Sequence, residues 1–296
     1  MSITSVSDFV ENILARPSSS KKIVSYRGHG SSAFRLQPSI FRKSDTERNE
    51  HILLRELIAA HPEDFHSDTS ALEMLVRMQH YSLPTRLLDV TFNPLVALYF
   101  ACESVKRRRQ IKQRSGQVKT RTEEMDGDVV VLTVHKDNIR YFDSDTVSCL
   151  ANLARLSWHY KKDLDTGLDK AAFNDSTPVK RLLHFIRQEK NGFLPEIEPD
   201  DLDRILLVKP KQNNRRILAQ AGAFFAFGLD DEIENDTTDE VTVEHIRIDA
   251  DSKGPIIKEL DKLGVNEKTM FPEIERAARY ITGTLASGVR HRIKNK

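Results

Sequence analysis

The residues best placed to do chemistry are concentrated between Arg77 and Cys102, RMQHYSLPTRLLDVTFNPLVALYFAC. Gln79, His80, Tyr81, Arg86, Asp89 and Thr91 punctuate an otherwise apolar segment. Its apolar run Thr85–Val90 has the length and content of a buried strand, and a second apolar run follows Asn93-Pro94. A strand that ends in Asp and Thr and leads into a helix start makes a polar niche over an apolar base. The free N–H groups of such a helix start favour anions. The plainer alternative is a buried strand–helix unit in which Asn93 caps the helix and Pro94 takes its first position.

Two other segments carry residues of the same kind. Tyr26-Arg27-Gly28 follows a β-like run and leads into His29-Gly30. An Arg fork suits a pyrophosphate, and glycines let a ligand approach the backbone. Gln220 precedes the strand-like run Ala223–Phe227, which includes Phe224. Each residue also has a structural alternative. Arg27 or Arg86 could pair with Asp89, Gln79 and Gln220 could satisfy buried backbone groups, His80 could pack beside Tyr81, and Thr91 could merely end its strand. Burying so many polar groups without mutual partners or a ligand is costly, which argues for joining them in one site.

The remaining signals exclude more than they assert. Among catalytic patterns, GxGxxG, Walker and His-x-x-x-His spacings are absent, Ser25 sits in no nucleophile elbow, and no metal site is expected. His29 and His80 lack the paired carboxylates of a metal-dependent nuclease. Cys102 and Cys149, far apart and without a CxxC, read as reduced thiols of a cytoplasmic protein. The N-terminal segment has acids and no apolar core, so no secretory signal is expected, and no apolar run is long enough to span a membrane. The net charge of +1 favours no partner, yet Lys106–Arg121 is strongly basic and Asp230–Glu240 strongly acidic. Both read as solvated loops, the basic one with the alternative of meeting phosphates.

The elements that must position these residues follow from hydrophobic periodicity. Helices are expected over Val6–Ala15, Thr46–Ala60, Thr69–Tyr81, Leu95–Val105, Asp145–Tyr160, Asn214–Gln220, Pro255–Leu263 and Pro272–Leu285. Strands are expected over Lys22–Arg27, Thr85–Val90, Asp128–His135, Arg204–Lys209, Ala223–Phe227 and Val241–Ile248. Leu164–Thr177 stays undecided, and Pro178–Leu183 reads equally as strand or helix start. Without regular βα alternation or an internal repeat, the pattern implies α+β.

Tyr26-Arg27-Gly28 and QHYSLPTRLLDVTFNP, Gln79–Pro94, resemble the FRG domain family, with Ser82 where the family usually has Gly and Val90 where it has Trp. RILAQAGAF over Arg216–Phe224 and the pair Leu260–Val265 with Phe271-Pro272 extend the resemblance over residues 20–284. That range is expected to form one domain with a basic loop at 106–127 and an acidic loop at 229–240, between an N-terminal helix and linker (1–19) and a basic tail (285–296). A second resemblance is to ADP-ribosyltransferases of the Arg-Ser-Glu type, carried by Arg27-Gly28, by Asp89–Ala101 and by Gln220 in that order. It implies a central, largely antiparallel split sheet flanked by helices, with NAD as substrate and a protein or nucleic-acid acceptor. It also implies the site. Arg27 grips the pyrophosphate, Asp89 and Thr91 shape the ribose pocket, and Gln220 holds a ribose hydroxyl where the transferases carry Glu. His80 and Tyr81 stack on nicotinamide or orient the acceptor, with Tyr26, Gly28, Gln79, Arg86 and Phe224 completing the pocket. By the same resemblance the chain is a toxin or anti-phage effector. The alternatives are a non-catalytic nucleotide- or nucleic-acid-binding module and an interaction domain.

Overall fold

The computed structural model describes residues 3–112, 118–234 and 241–273, with isolated residues at 276, 280 and 282. Its centre is a seven-stranded sheet. The strands are β1 (Lys22–His29), β2 (Leu87–Thr91), β5 (Gly127–His135), β6 (Ile139–Tyr141), β7 (Ile205–Lys209), β8 (Gly222–Phe227) and β9 (Val241–Ile248). Their order is β6-β7-β8-β2-β1-β5-β9, and every ladder is antiparallel except β6 with β7. β1 runs beside β5 over its full length, from Lys22↔His135 to His29↔Asp128. It meets β2 at a single pair, Tyr26↔Thr91. The sheet is therefore split into halves, β1-β5-β9 and β2-β8-β7-β6, joined at one rung.

The helices are α1 (Val6–Leu14), α2 (Ser44–Arg48), α3 (Glu50–Ala60), α4 (Pro62–Phe65), α5 (Ala71–His80), α6 (Pro94–Ala101) and α7 (Asp145–Asn152). Then come α8 (Trp158–Lys161), α9 (Lys170–Asp175), α10 (Thr177–Glu189), α11 (Arg215–Ala219), α12 (Lys253–Lys262) and α13 (Glu267–Met270). Each half of the sheet has its own helical cover. Leu87, Phe224 and Ala226 pack with residues of α5, α7 and α10, while Tyr26, Val129 and Ile246 pack with α1, α6 and α12. The opposite face buries Leu88, Val90, Val130, Leu132 and Phe225 under Leu36 and Ile233.

Local chemistry sets the boundaries around the site. Ser70 caps α5 by accepting from Glu73 N–H. The same helix closes in a Schellman motif, with Ser82 N–H donating to Gln79 C=O and Leu83 N–H to Met78 C=O, both at 3.0 Å. The residue after such a cap is left-handed, and Ser82 has φ 63°. The Gly of the family pattern is thus the residue this turn prefers, and Ser82 holds the same backbone under strain. Asn93 accepts from Leu95 N–H and Pro94 opens α6, as the spacing predicts. Gly28 lets α6 lie against β1: a Cβ there would stand 2.0 Å from Ala97 O and 2.6 Å from Ala101 N.

Several expectations change. The basic stretch forms a two-stranded ribbon, β3 (Lys106–Lys112) with β4 (Val118–Glu124), because backbone pairing needs no apolar face. α6 stops at Ala101, which frees Val105 to pair with Met125 at the ribbon's root. The Asp145–Tyr160 helix is broken by a 3-10 turn at Leu153–Arg155. Pro178 lies in the first turn of α10, where its missing N–H costs nothing, and α9 occupies the undecided stretch before it. The acidic loop is anchored by Ile233, which bridges Leu36, while its residues 235–240 lie outside the described residues. So does most of the helix expected over Pro272–Leu285, together with the basic tail. No described helix is long and apolar enough to cross a membrane.

Candidate functional site

A cleft of about 240 Å³ opens where β1 and β2 diverge. Arg27, Arg42 and Arg216 reach it from β1, from the turn before α2, and from α11. Gly28, Gly30, Asp89, Thr91 and Gln220 line it too, with Tyr26, Val96 and Phe100 as its apolar wall. A smaller lobe of about 60 Å³ adjoins it through Asp89, Val90, Arg216 and Gln220, which line both, and holds Gln79, His80, Asn214 and Phe224.

Arg27 is half-buried and fixed from two sides. Its Nε donates to His29 Nε2 at 2.9 Å, and its Nη1 donates across the split to the Asp89 carbonyl at 2.6 Å. Burial lowers the Arg27 pKa and the Asp89 carboxylate partly restores it, so the guanidinium stays charged. Its partner His29 is buried and held neutral. Burial, then Arg27, Arg42 and His245, push its pKa down to about 3. Because Nε2 accepts from Arg27, the imidazole proton belongs on Nδ1, which is buried with no partner among the described residues. Arg42 is aimed by the Gln37 carbonyl, which accepts from its Nε and Nη2 at 3.2 and 3.0 Å.

The polar groups of the smaller lobe satisfy one another. Gln79 Nε2 donates to Asp89 Oδ2 at 2.6 Å and to Leu87 O at 3.3 Å, while Gln79 Oε1 accepts from the Thr85 hydroxyl at 2.5 Å. His80 Nδ1 lies 3.0 Å from Asn214 Nδ2 and its Nε2 2.6 Å from Glu273 Oε1. The amide must donate to Nδ1, which leaves the proton on Nε2 facing Glu273. Arg216 Nη1 donates to the His80 carbonyl at 3.3 Å and lies over the Phe271 ring, 4.9 Å from its centre. The Thr91 hydroxyl donates to Gln220 O at 2.6 Å and accepts from Asn93 N–H at 2.9 Å, so it ties the end of α11 to the start of α6. Gln220 Nε2 donates to Met270 O at 3.0 Å.

The three distant segments therefore meet, and Tyr26, Arg27, Gly28, Asp89, Thr91 and Gln220 share the main cleft. Gln79, His80 and Phe224 stand in the adjoining lobe, Phe224 largely as core. Two expectations fail. Arg86 is turned away into the protein, where Nε and Nη2 donate to the Glu50 carboxylate at 2.9 and 2.6 Å and Nη1 donates to Phe227 and Gly228 carbonyls. Lys161 shares that carboxylate, and Asp89 plays no part in it. Tyr81 is 56% exposed and stacks on His80 outside both lobes. Gly28 does line the cleft, but the space its missing Cβ leaves is filled by α6 rather than kept for a ligand. Sequence reasoning missed Arg42, Arg216, His29 and Asn214 as members of the site. Arg216 opens the RILAQAGAF pattern and His29 stands between two glycines, so both carried a signal, whereas Arg42 carried none.

The arrangement can hold an anion. Three guanidinium groups face Asp89 and Glu103, and Asp89 is already engaged by Gln79. Among the described residues no group of three His, Cys, Asp or Glu side chains could hold a metal ion. Cys102 and Cys149 are free and buried, and burial pushes both thiols up to about 12, far from nucleophilic. No curated protein and no solved structure matches the chain. Residues 22–110, from β1 into the first strand of the basic ribbon, match the model of the FRG domain family.

Proposed function

We propose that the cleft binds NAD as a substrate and that the protein acts as an ADP-ribosyltransferase-like enzyme of the cytoplasm. The observation that carries this reading is the convergence of Arg27, Arg42 and Arg216 on one cleft whose wall includes Gln220. The guanidinium groups take the pyrophosphate, bidentately where a fork is free. Gln220 Oε1, whose amide nitrogen is already engaged, accepts from a ribose hydroxyl. Loss of nicotinamide develops positive charge on the ribose, and Asp89 is the carboxylate at the split that can face it. Isothermal calorimetry with NAD and chromatography of released nicotinamide test the two halves separately. The wild-type protein should bind and turn over NAD. Arg27→Ala should bind about 10–100-fold more weakly, the cost of a charged hydrogen bond of 1.5–3 kcal/mol. No binding of NAD by the wild type ends the proposal.

A second reading rests on a specific contact, the 2.6 Å bond from Gln79 to the Asp89 carboxylate. With that charge engaged and Gln220 neutral, the cleft can bind a nucleotide without cleaving it. NAD binding without nicotinamide release selects this reading.

A further inference from the structure

The β3–β4 ribbon stands outside both cavities and outside the hydrophobic core. Between Lys106 and Glu124 the sequence has eight basic residues, two acidic ones and no aromatic. Lys106, Arg107, Arg108 and Arg109 are exposed, and beyond the backbone ladder their side chains make no ion pair or hydrogen bond among the described residues. The register places Arg109 directly opposite Arg121, a like-charge pair that weakens a ladder. The two acids offset this only in part. Glu123 stands opposite Arg107 and 3.8 Å from Arg121, and Glu124, opposite Lys106, is committed to the root. Its carboxylate accepts from Val105 N–H and the Ser104 hydroxyl, both at 2.8 Å, and from Lys253 at 3.3 Å.

That root is rigid. Lys253 is buried, and its Nζ also donates to Gly30 O at 2.7 Å and to Glu103 O at 3.0 Å. An isolated two-stranded ribbon is marginal in water, and this one is further burdened by its own charge. Its root nonetheless stands beside the cleft, since Gly30 and Glu103, which bond to Lys253, line that cavity. Such a ribbon is matched to a polyanion.

We propose that the β3–β4 ribbon binds the phosphate backbone of duplex DNA, independently of what the cleft does. A β-ribbon fits the major groove of B-DNA, and its rise of about 3.3 Å per residue is close to the 3.4 Å per nucleotide of one strand. An RNA duplex is a poorer fit because its major groove is deep and narrow. An acidic protein surface is the weaker alternative, because the ribbon offers none of the aromatic anchors that interface cores use. Without aromatics the contact is to phosphates and tolerant of sequence.

Fluorescence anisotropy with a labelled DNA duplex of arbitrary sequence, in the absence of NAD, tests the proposal. Affinity should fall by on the order of a hundredfold between 50 and 200 mM salt, as for about four phosphate contacts. Arg107→Gln, Arg108→Gln and Arg109→Gln together should weaken binding at least about tenfold and reduce the salt slope by about 2–3. A control with the same charge change, Lys258→Gln with Lys262→Gln and Lys268→Gln, should bind as the wild type does. Absence of binding at 50 mM salt, equal loss in the control, or equal affinity for labelled poly-glutamate overturns the proposal. Duplex RNA of the same length should bind more weakly, and equal binding overturns the groove geometry. Because NAD is absent throughout, the outcome is separate from that of the cleft experiment.

Discussion

Replacing Glu50 by Gln should destabilise the protein more than any single change at the surface of the cleft. Glu50, Arg86 and Lys161 form a buried cluster of two cations and one carboxylate, with Glu50 and Arg86 each 1% exposed. The carboxylate accepts from Arg86 at two positions, and the third Arg86 nitrogen, Nη1, donates to the Phe227 and Gly228 carbonyls. Burial alone raises the Glu50 pKa, but Arg86 and Lys161 more than reverse this and bring it to about 2. An unfolded Glu titrates near 4.3. The folded value lies below the unfolded one, so the stabilisation is present above about pH 4.3 and is lost as pH falls toward 2. A gap of about two units corresponds to about 3 kcal/mol, in line with the 3–5 kcal/mol of a broken buried pair. Urea unfolding at pH 7 should therefore show Glu50→Gln less stable by about 3 kcal/mol, and a thermal scan should show a fall of about 6–10 °C. Between pH 4.3 and 2 the wild type should lose stability faster than the variant. A variant within about 1 kcal/mol of wild type at pH 7, with coincident acid profiles, refutes the assignment of this cluster as a stabilising element.

Two further changes test the local geometry. Gly28→Ala should drive a Cβ into the α6 backbone, 2.0 Å from Ala97 O, and cost more than the 1–3 kcal/mol of ordinary overpacking; a variant that melts with the wild type refutes the packing role. Ser82→Gly should relieve a left-handed residue at φ 63° and raise stability by about 1 kcal/mol, read as an upward shift of about 2–4 °C in Tm.

What was legible in the sequence was local. The Asn93-Pro94 cap, the strand that ends in Asp89 and Thr91, and the helix that ends before Ser82 are written in contiguous residues with known turn chemistry. The α+β class followed from the order of such segments. The partner of Arg86 was not legible, because Glu50 lies on a helix 36 positions upstream and looks like an exposed acid beside His51. Asp89, the near acid, was the wrong partner because side chains at 86 and 89 leave a strand on opposite faces. The ribbon was misread because its composition has no apolar alternation, and strand signals rest on that alternation. Arg42 escaped notice for a related reason: the Gln37 carbonyl that aims it is local, but the cleft residues it joins, such as Asp89 and Gln220, come from far along the chain.

The single rung between Tyr26 and Thr91 has a mechanical consequence. On its helical face each half carries its own hydrophobic layer, while on the other face one shared layer, with Leu88 and Val90 beside Val130 and Leu132, spans the seam, which Arg27 crosses to reach the Asp89 carbonyl. Widening this seam disturbs few ladder bonds and leaves the two helical layers intact, but it loads the shared layer. Whatever molecule bridges Arg27 and Gln220 therefore acts as a strut across the seam, and its affinity and the stiffness of the sheet are coupled through Arg27.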